Sequence, residues 1–231
     1  MPVLAPPPPA KLSTTSSIVD FAAYVKAHSE DGAAVFVDAD KMRATAILNL
    51  GTPDLPGHAD NVAHLQARKT AAMQALDRIT MDGGQPQLKV VEFLEDWGRS
   101  LTCIGEDGSN LTLQKVISAF RTVTIEALRR AQTEQTSLSA ARTTLERVTA
   151  TGAETIPARI AFTLEPYSGL PTREFHLRVG ILTTADKPTI VLRIVNKETH
   201  EEAMAHDLAT AVSREIGDAM SVMVGAYTRK D

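Results

Sequence analysis

The sequence has one cysteine, one tryptophan and few aromatic residues, which make up only 4% of its 231 positions. The lone Cys103 excludes an intramolecular disulfide and any zinc site built on more than one thiolate. That usage fits a reducing compartment. With so few aromatic faces, a broad surface that stacks bases, sugars or quaternary ammonium groups has little to be built from. A P-loop, a dinucleotide-binding glycine fingerprint, a nucleophile elbow and a zincin motif are also absent, which removes the enzyme classes easiest to read. Residues 1–17 carry a single positive charge, Lys11, and no apolar run long enough for a signal peptide or membrane anchor. The expectation is a cytoplasmic protein. A net charge of −4 and a pI near 5.9 argue against general attraction to nucleic acid or anionic membrane, and leave room only for a local basic patch.

What is present is the composition of a globular chain, 43% hydrophobic and 23% charged, able to bury a sizeable core. The first seventeen residues, MPVLAPPPPAKLSTTSS, read as an extended arm. Its four consecutive prolines, Pro6, Pro7, Pro8 and Pro9, favour polyproline II, which has no internal hydrogen bonds and cannot fold alone. Residues 18–231 read as a single α+β domain of antiparallel β-hairpins and a meander with helices packed on one face, any sub-boundary falling near 105–110.

The periodicities place the elements. Ile18, Phe21 and Val25 form a helical stripe over about 18–28, with Ser17 and Asp20 at capping-box spacing. Residues 33–38 and 43–50 are β-branched apolar runs around a short turn, a hairpin. Residues 51–61 hold two prolines and two glycines and read as a loop. Val62, Leu65, Met73, Leu76 and Ile79 predict one helix ending near Met81, and Val90, Phe93, Leu94 and Trp97 a second over 88–97 with an acidic outer face. Asn110 is placed to cap a helix carrying Leu113, Val116, Ile117 and Phe120. Residues 121–151 mix helix and strand signals and stay open.

The last third predicts three strands, about 159–165, 174–181 and 190–194, then a helix opened by Thr199 with Glu202 and lined by Met204, Leu208, Ala211, Val212 and Ile216. Matching the apolar faces of the second and third strands sets Ile181 opposite Ile190, Val179 opposite Leu192 and Arg178 opposite Arg193, since a slip of one residue would turn every side chain over. Two arginines facing each other repel. With Arg159 and His176 on the same side, the polar face of the sheet becomes a basic stripe in an acidic protein. Either the arginines stay solvated and splay apart, since exposed charges cost little, or something acidic covers them: Glu165 or Glu174, an acidic helix, a second subunit or a bound anion.

The remaining polar residues carry simpler readings. His58 and His64, like His200 and His206, are six apart, a spacing that turns the second ring off the first one's helical face, so no metal site is expected. Asp38 and Asp40 read as turn formers. Cys103, between apolar neighbours, reads as a small buried hydrophobe. No cofactor is expected.

The order of these signals resembles the phage and prophage proteins typified by YfdQ, a domain family of unknown function. The resemblance lies in SIVDFAAYVKAHSEDGAAVFVD followed by TAILNL, in LKVVEFLEDW, in IPARIAFTLEPYSG, and in EFHLRVGI with PTIVLRIVNKE and its following helix. It implies a tailed-phage or prophage origin, expression in the bacterial cytoplasm and strands in 121–150, and it brings no catalytic residues. The resulting expectation is a non-enzymatic protein that assembles with copies of itself as a ring or closed shell, helped by its arm. A phage factor binding a host protein is the alternative, and a nucleic-acid-binding protein ranks below both.

Overall fold

The computed structural model describes residues 14–122, 156–182 and 188–228. In chain order the first half has α1 (Ile18–His28), β1 (Ala34–Asp38), β2 (Arg43–Ile47), β3 (Val62–Gln66), α2 (Ala71–Ile79), β4 (Gln85–Pro86) and α3 (Gln87–Trp97). Then come β5 (Leu101–Ile104), β6 (Asn110–Leu111), α4 (Leu113–Thr122), β7 (Arg159–Leu164), β8 (Arg173–Leu182), β9 (Thr189–Ile194), α5 (Lys197–Ile216) and β10 (Ser221–Val224). The proline run, most of 121–151 and the turn at 184–187 lie outside the described residues. Two compact units result: one takes the chain up to Arg68, Tyr167–Pro171 and the chain from Glu198 on, the other Lys69–Pro166 and Thr172–Lys197. The fold class is α+β, as the patterning predicts.

The first unit holds a four-stranded sheet in the order β10-β1-β2-β3. Strands β1 and β2 form the expected hairpin, running from Ala34 opposite Ile47 to Asp38 opposite Arg43. Alternation puts Val35, Val37, Ala44, Ala46, Ala63 and Leu65 on one face, each with no exposed surface. Helix α1 packs against β3 and buries Phe21 and Val25 completely, about 1.5–3 kcal/mol for each such side chain. Its start is capped as the spacing predicts, Ser17 Oγ accepting from Asp20 N at 3.1 Å. The reciprocal bond is replaced, because the Ser17 N–H donates to Thr15 Oγ1 instead.

Two expectations fail here. Residues 62–66 are not the start of a helix but strand β3, antiparallel to β2 from Ile47 opposite Val62 to Arg43 opposite Gln66. The outer edge of β2 needs hydrogen-bond partners, and that demand outweighs the i, i+3 coincidence of Val62 and Leu65; the helix proper begins at Ala71, after the Thr70 cap. Likewise α5 begins at Lys197, so Thr199 lies inside its first turn rather than at its cap.

The second unit is built on a six-stranded antiparallel sheet, β4-β9-β8-β7-β5-β6. The register is the one that matching the apolar faces predicts: Ile181 faces Ile190, Val179 faces Leu192 and Arg178 faces Arg193. One face carries Ile160, Phe162, Phe175, Leu177 and Ile190, all essentially unexposed. Helix α3 covers it, with Phe93 edge-on to Phe162 at 5.4 Å and Trp97 tilted against the same ring at 5.7 Å. Helix α4 packs on α3 and β5. Asn110 does not cap α4, because it lies in β6 opposite Ile104. Among the described residues no helix is long and apolar enough to cross a membrane.

Candidate functional site

The outer face of the six-stranded sheet is set by the pleat. With Ile160 and Leu177 paired and directed into the core, their neighbours in sequence must point the other way. Arg159 is therefore opposite Arg178, and Arg178 is opposite Arg193. Three guanidinium side chains stand in one row across β7, β8 and β9, roughly 4.8 Å from strand to strand. All three are exposed, and among the described residues none makes a hydrogen bond or ion pair. Ile104 on β5 continues the row as a half-buried apolar end.

His176 lies on the same face, two residues before Arg178 and opposite Ala161. Its Nε2 is 3.1 Å from Glu174 Oε1, while its Nδ1 is buried with no partner among the described residues. Glu174, a candidate cover for the arginines, is thus turned to the histidine. The sequence found all four residues of this surface, and the structure brings them together.

A second feature lies within the first unit, on the sheet face opposite α1. A cleft of about 220 Å³ is lined by Arg43, Thr45, Ala59, Asp60, Val62, His64 and Tyr227. Thr45 and His64 are opposed across β2 and β3, with Thr45 Oγ1 and His64 Nδ1 3.1 Å apart. Burial, and then the charge of Arg43, hold the His64 imidazole below its ordinary pKa of 6.5. Arg43 approaches Asp38 Oδ2 at 4.0 Å, while its Nε is buried without a hydrogen bond among the described residues. Burial would raise the Asp38 carboxyl, but hydrogen bonds and charge from Lys41, with the charge of Arg43, hold it below 3.8. Tyr227 stacks tilted on Phe36 at 5.3 Å. Asn49 pins the loop wall, donating through Nδ2 to Asp60 at 2.7 Å and accepting from Asn61 N at 3.0 Å. Sequence reading missed this cleft, because it assigned His64 to a helix; the alternation of Ala63 and Leu65 with His64 and Gln66 is the signal for the strand that lines it.

Residues 10–227 match the family described as an uncharacterized conserved protein, DUF2303. The chain belongs to the DUF2303 family. No curated protein and no solved structure matches it.

The chemistry open to this DUF2303 chain follows from the two surfaces. In the cleft the Thr45 hydroxyl is tucked under the surface, 7% exposed, so its bond to the half-buried His64 satisfies a buried hydroxyl rather than presenting a nucleophile. Among the described residues no group of three or more His, Cys, Asp or Glu is placed to hold a metal ion. Cys103 faces the core, 3% exposed, and burial pushes its thiol up to about 11. The arginine row is different, being three exposed charges with no partner among the described residues. Two unit charges about 5 Å apart repel by roughly 1 kcal/mol in water, and several times that once water is displaced. The row is therefore cheap while solvated and costly under an apolar cover. A cover that carried carboxylates or phosphates would offset that cost.

Proposed function

We propose that this DUF2303 chain is a non-enzymatic protein of phage or prophage origin, working in the bacterial cytoplasm, that assembles with copies of itself into a ring or closed shell. The observation that carries the reading is the row Arg159, Arg178 and Arg193, exposed and, among the described residues, without an acidic partner. An acidic cover would offset its charge, and the chain itself has 28 acidic against 24 basic residues, so a second copy offers what the row lacks. The phage origin rests on the likeness to YfdQ-type proteins. The proline-rich arm fits the same reading: Thr15 pairs with the edge of β3 through bonds of 2.9 Å on both sides, and a polyproline segment beyond it is suited to reach a neighbour.

Size-exclusion chromatography with light scattering on the full chain tests this. In about 0.1 M salt, where screening is incomplete, the expected mass is many multiples of 24.9 kDa, and removal of residues 1–13 lowers it. A mass of one or two chains overturns the assembly reading and favours the alternative, a factor that binds an acidic host protein through the same row.

A further inference from the structure

We infer that the arginine row seats the first two turns of α5 from a second copy, with Glu198 and Glu202 facing the guanidinium groups. The inference rests on the self-assembly reading and names the two surfaces that meet.

Spacing comes first. Neighbouring strands are roughly 4.8 Å apart and a helix repeats every 5.4 Å or so. A helix laid along the row therefore brings two successive turns, those of Glu198 and Glu202, to two neighbouring arginines. Over that one step the mismatch is about 0.6 Å, well within the reach of a flexible arginine side chain. The chain's net charge of −4 opposes a nucleic acid.

The choice of helix follows from which carboxylates are free. Helices α3 and α5 both carry acids on successive turns. On α3, Glu92 pairs with Lys89 and Glu95 pairs with Arg121, which leaves Asp96 as its one exposed acid without a partner among the described residues. On α5, Glu198 and Glu202 are exposed and, among the described residues, neither makes an ion pair or hydrogen bond. The helix dipole accounts for an acid in the first turn, at Glu198, but its influence fades by Glu202 in the second. Two like charges at i, i+4 weaken a helix, as two opposed arginines weaken a strand pair. Each surface is thus mildly unfavourable in a separate copy, and one contact relieves both: Glu198 and Glu202 against two neighbouring guanidinium groups of the row.

Charge reversal on the full chain tests the pairing, with mass read by light scattering in about 0.1 M salt. Arg178→Glu alone and Glu202→Arg alone should each reduce the assembly to one or two chains. An equimolar mixture of the two variants, and the double variant, should each restore it, since every row then meets a helix of opposite sign. Circular dichroism of the single variants checks that they remain folded. If the wild type is itself one or two chains, the self-assembly reading fails. If the singles fall apart but neither combination recovers, the row is an interface and α5 is not its occupant. If the singles keep the wild-type mass, the row is not an interface at all. Salt-sensitive binding of a single-stranded oligonucleotide that Arg178→Glu abolishes, with the mass unchanged, overturns the inference in favour of a nucleic-acid surface.

Discussion

Arg178 and Arg193 are directly opposed on adjacent antiparallel strands, both exposed, with no acid between them. Arg159 repeats the opposition on the other side of Arg178. For the stability of a single copy this is a poor choice of residues. Arg178→Glu turns two repulsive cross-strand pairs into attractive ones, and is expected to stabilise the dissociated chain by about 0.5–1.5 kcal/mol at low salt. Urea denaturation at high dilution measures it. A lowered midpoint would mean that Arg178 is held by favourable contacts within its own copy. A more stable fold together with a lost assembly would mark the row as retained for contact rather than for folding.

The register that creates this row was readable because both strands alternate cleanly. Phe175, Leu177, Val179 and Ile181 on one strand and Ile190, Leu192 and Ile194 on the other admit one pairing that buries all of them. Local pattern failed at Val62–Gln66, where apolar residues three apart suit a helix and only the unpaired edge of β2 decides for a strand. It also gave no hint of the cleft. Arg43 and His64 meet through that misread strand, and Tyr227 arrives because β10 runs parallel to β1, a pairing between distant segments that no local periodicity announces.

Cys103 faces the same core row as Ile160. With its thiol near 11, only about one molecule in a thousand carries a thiolate at pH 8. An aromatic disulfide reagent should therefore modify the native protein at least ~100-fold more slowly than the denatured chain, followed by absorbance. Rapid native labelling would show that the sheet opens at β5.

Thr70 ties the start of α2 to the end of β7. Its hydroxyl accepts from Met73 N at 3.2 Å and donates to the Glu165 carbonyl, while its own N–H reaches the Pro166 carbonyl at 3.1 Å. Thr70→Val keeps the shape and removes both side-chain bonds, which should cost about 1–2 kcal/mol. Thr70→Ser keeps both and should recover most of it. Equal losses in the two variants, by chemical denaturation, would assign the effect to the methyl group instead.

His64 should give the first unit a pH dependence of its own. Its folded pKa lies below the ordinary 6.5, first because it is buried and second because Arg43 is close. As pH falls below 6.5 the unfolded chain binds a proton that the folded chain refuses, so stability is full above 6.5 and declines until the folded imidazole also protonates. Asp38 acts in a separate window: its carboxyl is held below 3.8, so its contribution is present above that value and is lost only as pH falls through the folded pKa. His64→Gln removes the titrating group and can still accept the Thr45 hydroxyl. Denaturation midpoints measured from pH 7.5 down to about 5 should therefore slope downward in the wild type and flatten in the variant. Both should fall together in stronger acid. A variant that keeps the wild-type slope above pH 5 would place the proton uptake elsewhere and remove the coupling between Arg43 and the imidazole.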